Sequence, residues 1–132
     1  MELYAGIDVG GTKVLCVVLD AEGQVRGQHK VKVGTEKTVP AMLEKIKEAF
    51  AGALAAAGAA RVAGAGLAVP GPVDSARREV HKCVNLGWHE PVPLGRLLEL
   101  PGAPFLWLDN DANMGAYGEV AAGAGKARDV LA

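Results

Sequence analysis

Three short apolar segments, joined by turns of a few residues, open the sequence and restrict its fold more than any other feature. They are Leu3–Val9, Val14–Leu19 and Val25–Val33, separated by Gly10-Gly11 and by Asp20-Ala21-Glu22-Gly23. Apolar runs of this length between glycine and aspartate turns are typical of β-strands, and such short connections join antiparallel neighbours. Lys30 and Lys32 alternate with His29, Val31 and Val33, as in a strand with one solvent-facing side. The sequence therefore predicts an antiparallel meander of three strands.

The remainder of the chain alternates predicted helices with predicted strands. Thr38 is expected to cap a helix that reaches about Ala57, because Gly58 stands where a C-terminal stop belongs. The later elements are a strand at Val62–Val69, a loop from Pro70 to Trp88, a short helix at Pro93–Leu100, a strand at Phe105–Leu108 and a helix at about Asp111–Ala122. This order, β-β-β-α-β-α-β-α, predicts an α/β fold with a mixed five-stranded sheet and helices on its faces.

Composition excludes several classes of protein. The 132 residues include 14 Lys and Arg against 15 Asp and Glu, a net charge of -1, which argues against a broad nucleic-acid-binding face. No stretch approaches the ~20 apolar residues of a membrane span, and the first residues lack the pattern of a signal peptide. We therefore expect a cytoplasmic protein without nucleic-acid or membrane partners. Cys16 and Cys83, far apart and outside any CxxC pattern, are expected to be reduced, buried thiols.

The turn after the first predicted strand contains residue types that can bind phosphate. Gly6–Lys13 reads GIDVGGTK, which reverses the last two residues of a Walker A loop and leads into a strand instead of a helix, so a P-loop NTPase is a poor interpretation. Two glycines nevertheless allow backbone amides to face a phosphate, and Thr12 and Lys13 add side-chain donors. Asp8 is placed to hold a hydrated divalent cation. The alternative is a plain hairpin with an exposed Asp8.

A second polar segment follows the last predicted strand. In the sequence Leu108–Asn113, a carboxylate beside a helix N-terminus is held ionised and can accept the proton of an attacking hydroxyl. A neighbouring asparagine can hold another hydroxyl of the same molecule, although ordinary helix capping explains the same residues. In the preceding loop, Gly71, Asn85 and Trp88 suit a polyhydroxylated ligand, unless Trp88 fills the core and Asn85 belongs to a turn.

Taken together, four segments of this sequence resemble the ROK family, which contains bacterial glucokinases, other hexose kinases and sugar-responsive repressors. The matching segments are Gly6–Lys13, Leu67–Asp74, Asn85–Trp88 and Asn110–Asn113, and Tyr117-Gly118-Glu119 continues the last of them. They occur in the family's order and spacing. The resemblance implies an actin-like, ribonuclease-H-like ATPase lobe and the activity of an ATP-dependent sugar kinase.

The resemblance also implies roles for individual residues, with ATP and Mg²⁺ as cofactors and a hexose, expected to be glucose, as substrate. It implies a phosphate-binding set of Asp8, Gly10, Gly11, Thr12 and Lys13, and a sugar-binding set of Gly71, Asn85, Asn110 and Asp111. Asp8 would lie near the magnesium ion. Asp111 would be the base that takes the proton from the sugar 6-hydroxyl. Glu119 lies in the motif without an assigned role.

The same resemblance predicts how the chain is organised. Residues 1–121 are expected to form the N-terminal lobe, and residues 122–132 to begin the connection to a second lobe absent from this chain. In the family that lobe carries a second phosphate loop, a structural zinc site and the adenosine pocket, and a homodimer would form through regions outside this chain. We therefore expect the isolated chain to be inactive. The alternatives are a sugar-responsive transcriptional regulator of the same family and a non-catalytic sugar-binding module.

Overall fold

Seven strands and two helices form the described part of the chain. The computed structural model describes residues 2–69, 73–74, 79–80, 83, 86–98, 100 and 106–110. The elements are β1 (Leu3–Val9), β2 (Lys13–Asp20), β3 (Val25–Lys32), α1 (Val39–Ala57), β4 (Gly64–Val69), β5 (Val73–Asp74), β6 (Glu79–Val80), α2 (Leu94–Leu97) and β7 (Leu106–Asn110). Five strands make one sheet in the order β3-β2-β1-β4-β7, while β5 and β6 pair separately.

The main sheet is mixed, and the direction of its strands changes at β1. On one side of β1, strands β2 and β3 continue in antiparallel pairing. On its other side, β4 pairs with β1 in parallel and β7 pairs with β4 in parallel. This confirms the predicted meander and the predicted mixed sheet. Because β1, β4 and β7 run in the same direction, their carboxyl ends lie at one edge of the sheet.

Helix α1 begins and ends at the residues that the sequence predicts. The hydroxyl oxygen of Thr38 accepts a hydrogen bond from the amide of Ala41 at 3.3 Å, which is N-terminal capping. Gly58 adopts φ 66°, a left-handed conformation that favours glycine, and the amide of Ala59 donates to the carbonyl of Leu54 at 3.0 Å. The buried side of the helix carries Met42, Ile46, Ala49, Phe50, Ala53 and Leu54.

The helix packs on one face of the meander, and a glycine of β3 permits a close contact there. A Cβ at Gly27 of β3 would lie 2.5 Å from the carbonyl oxygen of Ala53 and from the amide nitrogen of Ala57, so no larger residue fits there without a shift. On β2, alternate residues Val14, Cys16 and Val18 are fully buried. The intervening residues of β2 therefore face the other side of the sheet.

The last strand of the sheet is longer than the sequence predicts. Strand β7 runs to Asn110 because its ladder with β4 continues as far as the pair Val69–Asn110. The polar residue types of Asp109 and Asn110 did not predict a strand. Backbone pairing with the neighbouring strand extends it, and that pairing cannot be read from the sequence. The helix predicted at about Asp111–Ala122 lies outside the described residues.

Further boundaries differ from the prediction, and strand β4 begins at Gly64 instead of Val62. The segment predicted as a loop contains the short pair β5–β6 and two isolated bridges, Val80–Val92 and Cys83–Trp88. Helix α2 is a single turn, because Leu98 already has extended backbone angles. Cys16 and Cys83 are both buried and form no disulfide, as predicted. Among the described helices, none is long and apolar enough to cross a membrane.

Candidate functional site

The carboxyl edge of the three parallel strands brings the predicted phosphate segment and the predicted sugar segment together. In the register of the sheet, Asp8 of β1 lies opposite Ala68 of β4, and Val69 lies opposite Asn110 of β7. Neighbouring strands are separated by about 4.8 Å, which places β1 and β7 roughly 10 Å apart. Ligands of open α/β sheets bind outside the carboxyl ends of the strands. The turn after β1 and the end of β7 therefore border one ligand-sized region.

The turn that joins β1 to β2 is a tight hairpin with exposed donors. The amide of Gly10 donates to the carbonyl of Lys13 at 2.9 Å, and the carbonyl of Thr12 accepts from the amide of Val33 at 2.9 Å. The side chains of Thr12 and Lys13 are exposed. The N–H of Gly10 is therefore used within the turn, and the place of Gly10 in the phosphate-binding set stays a prediction. The backbone donors that remain are the amides of Gly11 and Thr12.

Three lysines line a concavity beside this turn. The concavity has a volume of about 450 Å³ and is lined by Thr12, Lys13, Lys30 and Lys32. Lys13 of β2 lies directly opposite Lys32 of β3. The ion pair found in the described part of the chain joins Arg26 to Asp20 and involves none of these lysines. The concavity is therefore positively charged and suited to an anion.

Asp8 is the carboxylate next to this positive region. It lies opposite Leu15, so Lys13 is its diagonal neighbour on the same face of the sheet, at roughly 7–8 Å between Cα atoms. Its Oδ1 atom is closed off from solvent. Residues 2–69 and the other described positions contain no group of three or more His, Cys, Asp or Glu side chains that would hold a metal alone. Magnesium commonly binds through one or two carboxylates together with substrate phosphates, and a single Asp8 fits that donor set.

Trp88 belongs to the core. Its side chain is buried, and the indole Nε1 donates to the carbonyl oxygen of Lys37 at 2.9 Å. The one hydrogen-bond donor of the indole is therefore used inside the protein. This supports the alternative in which Trp88 fills the core.

The other sequence-predicted residues of the sugar set lie at or beyond the end of the described strands. Asn110 is the last residue of β7. Gly71, Asn85 and Asp111 lie outside the described residues, so their roles stay predictions. Glu119, which has no assigned role, lies outside them as well.

Sequence reasoning missed Lys30 and Lys32 as site residues. Their alternation with apolar neighbours indicated only a solvent-facing side of β3. The sequence did contain a signal for these lysines. In an antiparallel hairpin the start of the second strand lies beside the end of the third, so a residue near the end of the third strand is expected beside Lys13. The register of the strand pairing shows that Lys30 and Lys32 line the same concavity as Thr12.

Comparison with known proteins places these features in a family. The sequence profile of the ROK family matches residues 4–132. A glucokinase from Streptomyces coelicolor is 35% identical over 127 residues, which are 96% of this chain and 38% of that protein. The structure of a ROK family glucokinase from Streptomyces griseus in complex with glucose and AMPPNP matches with 36% identity and a TM-score of 0.69, covering 93% of this chain and 38% of that one.

A ROK hexokinase from Thermus thermophilus is also similar in structure. It matches with 32% identity and a TM-score of 0.74, covering 92% of this chain and 40% of the hexokinase. The chain thus spans well under half the length of these relatives. The mixed sheet in the order β3-β2-β1-β4-β7 agrees with the actin-like ATPase fold of these kinases. Because the family profile covers nearly all of its sequence, the chain belongs to the ROK family.

Proposed function

We propose that this chain contributes the donor-phosphate site and the acceptor-activating residues of an ATP-dependent hexose kinase whose substrate is glucose. The observation that carries the proposal is the shared carboxyl edge of β1, β4 and β7, which borders both the Gly10–Lys13 turn and Asn110. The relative from Streptomyces griseus, described in complex with glucose and AMPPNP, supports the choice of both substrates.

On the donor side, the turn binds phosphate oxygens. The Thr12 hydroxyl, the Lys13 ammonium group and the amides of Gly11 and Thr12 donate hydrogen bonds to them, and the charge of Lys13 makes its bond charge-assisted. Asp8 would hold Mg²⁺ through its carboxylate. When bound, Mg²⁺ neutralises charge on the phosphate oxygens.

On the acceptor side, Asp111 orients the 6-hydroxyl of the sugar and receives its proton. The hydroxyl oxygen forms a bond to the γ-phosphorus while the bond from that phosphorus to the bridging oxygen of ADP breaks. Because the transition state of phosphoryl transfer is loose, positioning matters more than basicity, and an ordinary carboxylate suffices. Asn110, Gly71 and Asn85 hold the other hydroxyls of the sugar.

The isolated chain is proposed to lack appreciable kinase activity. It spans 38% of the length of the glucokinase from Streptomyces coelicolor, so the equivalents of most of that protein's residues are not in this sequence. Enclosing ATP and excluding water require groups on both sides of the nucleotide. Glucose-dependent formation of ADP by the purified 132-residue chain would contradict this.

The catalytic role is tested in the gene product that carries this chain. We expect Asp111→Asn to lower kcat for glucose phosphorylation at least about 100-fold, because the proton acceptor is lost while the amide still fills the same space. Formation of glucose 6-phosphate is measured against Glu36→Gln, which removes one negative charge at an exposed loop position. A kcat for Asp111→Asn within a few-fold of the control would exclude Asp111 as the base.

A further inference from the structure

The residues on either side of Asn85 close the chain into a compact turn, here called the 83–88 turn. The amide of Cys83 donates to the carbonyl of Trp88 at 3.0 Å, and the amide of Trp88 donates to the carbonyl of Cys83 at 2.9 Å. The amide of Leu86 also donates to the carbonyl of Cys83, at 3.1 Å. Asn85 itself lies outside the described residues, but its neighbours fix both ends of the short segment that contains it.

Gly87 has a backbone conformation in this turn that few other residues could keep. Its φ angle is 73°, in the left-handed region, where a side chain brings Cβ close to the following carbonyl oxygen. A Cβ at this position would meet no other atom within 4 Å, so the backbone and not crowding requires glycine. Asparagine tolerates the left-handed region best among residues with a side chain, and β-branched residues tolerate it worst.

Trp88 ties the turn to the start of α1. Its indole Nε1 donates to the carbonyl oxygen of Lys37 at 2.9 Å, and Lys37 immediately precedes Thr38, the N-terminal cap of that helix. Cys83, Leu86 and Trp88 are all buried. Surface turns are usually among the more mobile parts of a fold, whereas this one is held by three buried residues and by a hydrogen bond to a segment 51 residues earlier.

We propose that Gly87 and Trp88 are positioning residues for the sugar, because together they hold the turn that carries Asn85 and so fix the direction of its amide. The proposal rests on the proposed function, in which Asn85 holds a hydroxyl of the hexose. Gly87 and Trp88 need not touch the sugar themselves. A group that binds substrate is effective when the residues behind it lock its position, since a displacement of about 1 Å can cost about 100-fold in rate.

The test measures steady-state kinetics of the gene product that carries this chain. Gly87→Val places a β-branched residue at φ 73°. We expect it to raise KM for glucose about 10-fold or more, while kcat and KM for Mg-ATP change less than 3-fold, because a sugar contact made throughout the reaction affects mainly KM. Gly87→Asn, which adopts the left-handed region more easily, should raise KM for glucose less than 3-fold.

A second substitution tests the anchor of the turn. Trp88→Phe keeps an aromatic ring and removes the indole N–H that bonds to Lys37. It should raise KM for glucose about 3- to 5-fold and leave KM for Mg-ATP within 2-fold. If Gly87→Val does not fold, Trp88→Phe decides the question, and an unchanged KM for glucose in this variant would overturn the proposal.

The matched control is Gly58→Val, which introduces the same kind of backbone strain elsewhere. Gly58 has φ 66° and open space at its Cβ position, but it ends α1. The 19 residues of that helix span about 28 Å, so Gly58 lies far from the end that Trp88 contacts. The control should lose stability in urea denaturation and keep KM for glucose within 2-fold. An equal rise of KM in both valine variants would overturn the proposal, because strain at any position would then explain it.

A double-mutant cycle determines whether the effect passes through Asn85. In an Asn85→Ala background the sugar contact is already lost, so adding Gly87→Val should raise KM for glucose less than 2-fold further. If the further rise were as large as in the unmodified background, Gly87 would act on the sugar by another route and the proposal would be wrong.

The remaining outcomes separate the positioning role from the proposed function. If Asn85→Ala leaves KM for glucose unchanged in an active kinase, Asn85 is not a sugar ligand. The positioning role is then excluded, while the kinase activity and the donor site stand. If the unmodified protein does not phosphorylate glucose, the proposed function and the positioning role both fail.

Discussion

The two turns of the opening meander use their polar groups in opposite ways. In the turn between β2 and β3, the Oδ1 atom of Asp20 accepts hydrogen bonds from the amides of Glu22 and Gln24 at 3.0 and 2.9 Å, and Asp20 is 3% exposed. In the turn between β1 and β2, no side-chain acceptor takes that role among the described residues. Thr12 and Lys13 instead extend their donors into solvent beside a positive concavity.

The difference separates a structural turn from a candidate binding turn. Asp20 satisfies the backbone donors of its own turn, so that turn has little left to offer a ligand. The glycine turn keeps its hydroxyl, its ammonium group and the amides of Gly11 and Thr12 for an external acceptor. The first turn is therefore expected to respond to substitution through stability, and the second through binding of phosphate.

The largest expected effect is loss of stability on removal of the Asp20 side chain. Asp20→Ala leaves two backbone amides without their acceptor and should lower the free energy of unfolding by about 2–3 kcal/mol. Asp20→Asn keeps an oxygen acceptor and should lose less. Urea denaturation measures both. Equal stability of the alanine variant and the unmodified chain would show that the carboxylate does not hold the turn.

Cys16, in the strand that joins the two turns, reports which of them controls opening of that strand. Its thiol is fully buried, and burial raises its pKa from 9.0 to about 12. Alkylation at pH 8 should therefore require opening of the fold. We expect Asp20→Ala to accelerate alkylation of Cys16 at least about 10-fold and Thr12→Ala less than 2-fold, as measured by peptide mass spectrometry. The reverse order would contradict the distinction between the turns.

Because burial raises the pKa of Cys16, the free energy of unfolding is expected to change with pH. Above pH 9.0 the unfolded thiol loses its proton, whereas the folded thiol keeps it until about pH 12. The unfolded state is therefore favoured increasingly as pH rises through this window, and the contribution of Cys16 to stability is complete only below 9.0. Cys16→Ala should show a smaller loss of stability between pH 9 and 11 than the unmodified chain. Urea denaturation at several pH values measures this. An equal fall in the free energy of unfolding between pH 9 and 11 in both proteins would contradict the linkage.

A smaller free-energy effect is expected for binding at the glycine turn. Lys13→Gln should weaken binding of tripolyphosphate about 10-fold, equivalent to roughly 1.4 kcal/mol, because one charge-assisted contact is lost. Its stability should change by less than about 0.5 kcal/mol, since the side chain is exposed. Calorimetric titration and urea denaturation test the two parts. A stability loss as large as that of Asp20→Ala would make this turn structural as well.

The smallest effect is expected for Arg26, which lies beside the structural turn. Its Nε atom is 3.8 Å from Oδ2 of Asp20, and its side chain is 40% exposed. An ion pair with this exposure contributes little, so Arg26→Gln should change stability by less than about 0.5 kcal/mol. Urea denaturation at low and high salt would reveal a larger, salt-dependent contribution if the pair were important.

Local chemistry made much of the fold predictable. The meander follows from short apolar runs between turn residues, and α1 follows from its apolar periodicity between Thr38 and Gly58. The end of β7 was not predictable in this way, because Asp109 and Asn110 are held in the strand by pairing with β4. Neither was the role of Trp88, since the carbonyl that its indole contacts lies 51 residues earlier in the chain.

For the candidate site, the sequence by itself determined the residue types, above all the GGTK turn after an apolar strand that ends in Asp8. The tertiary structure alone decided which of them meet. Strand pairing places Asn110 at the same edge as Asp8 and places Lys32 opposite Lys13, although each pair is distant in sequence. The physical reason is that side-chain chemistry acts locally, whereas backbone hydrogen bonds between strands set the register that brings distant residues together.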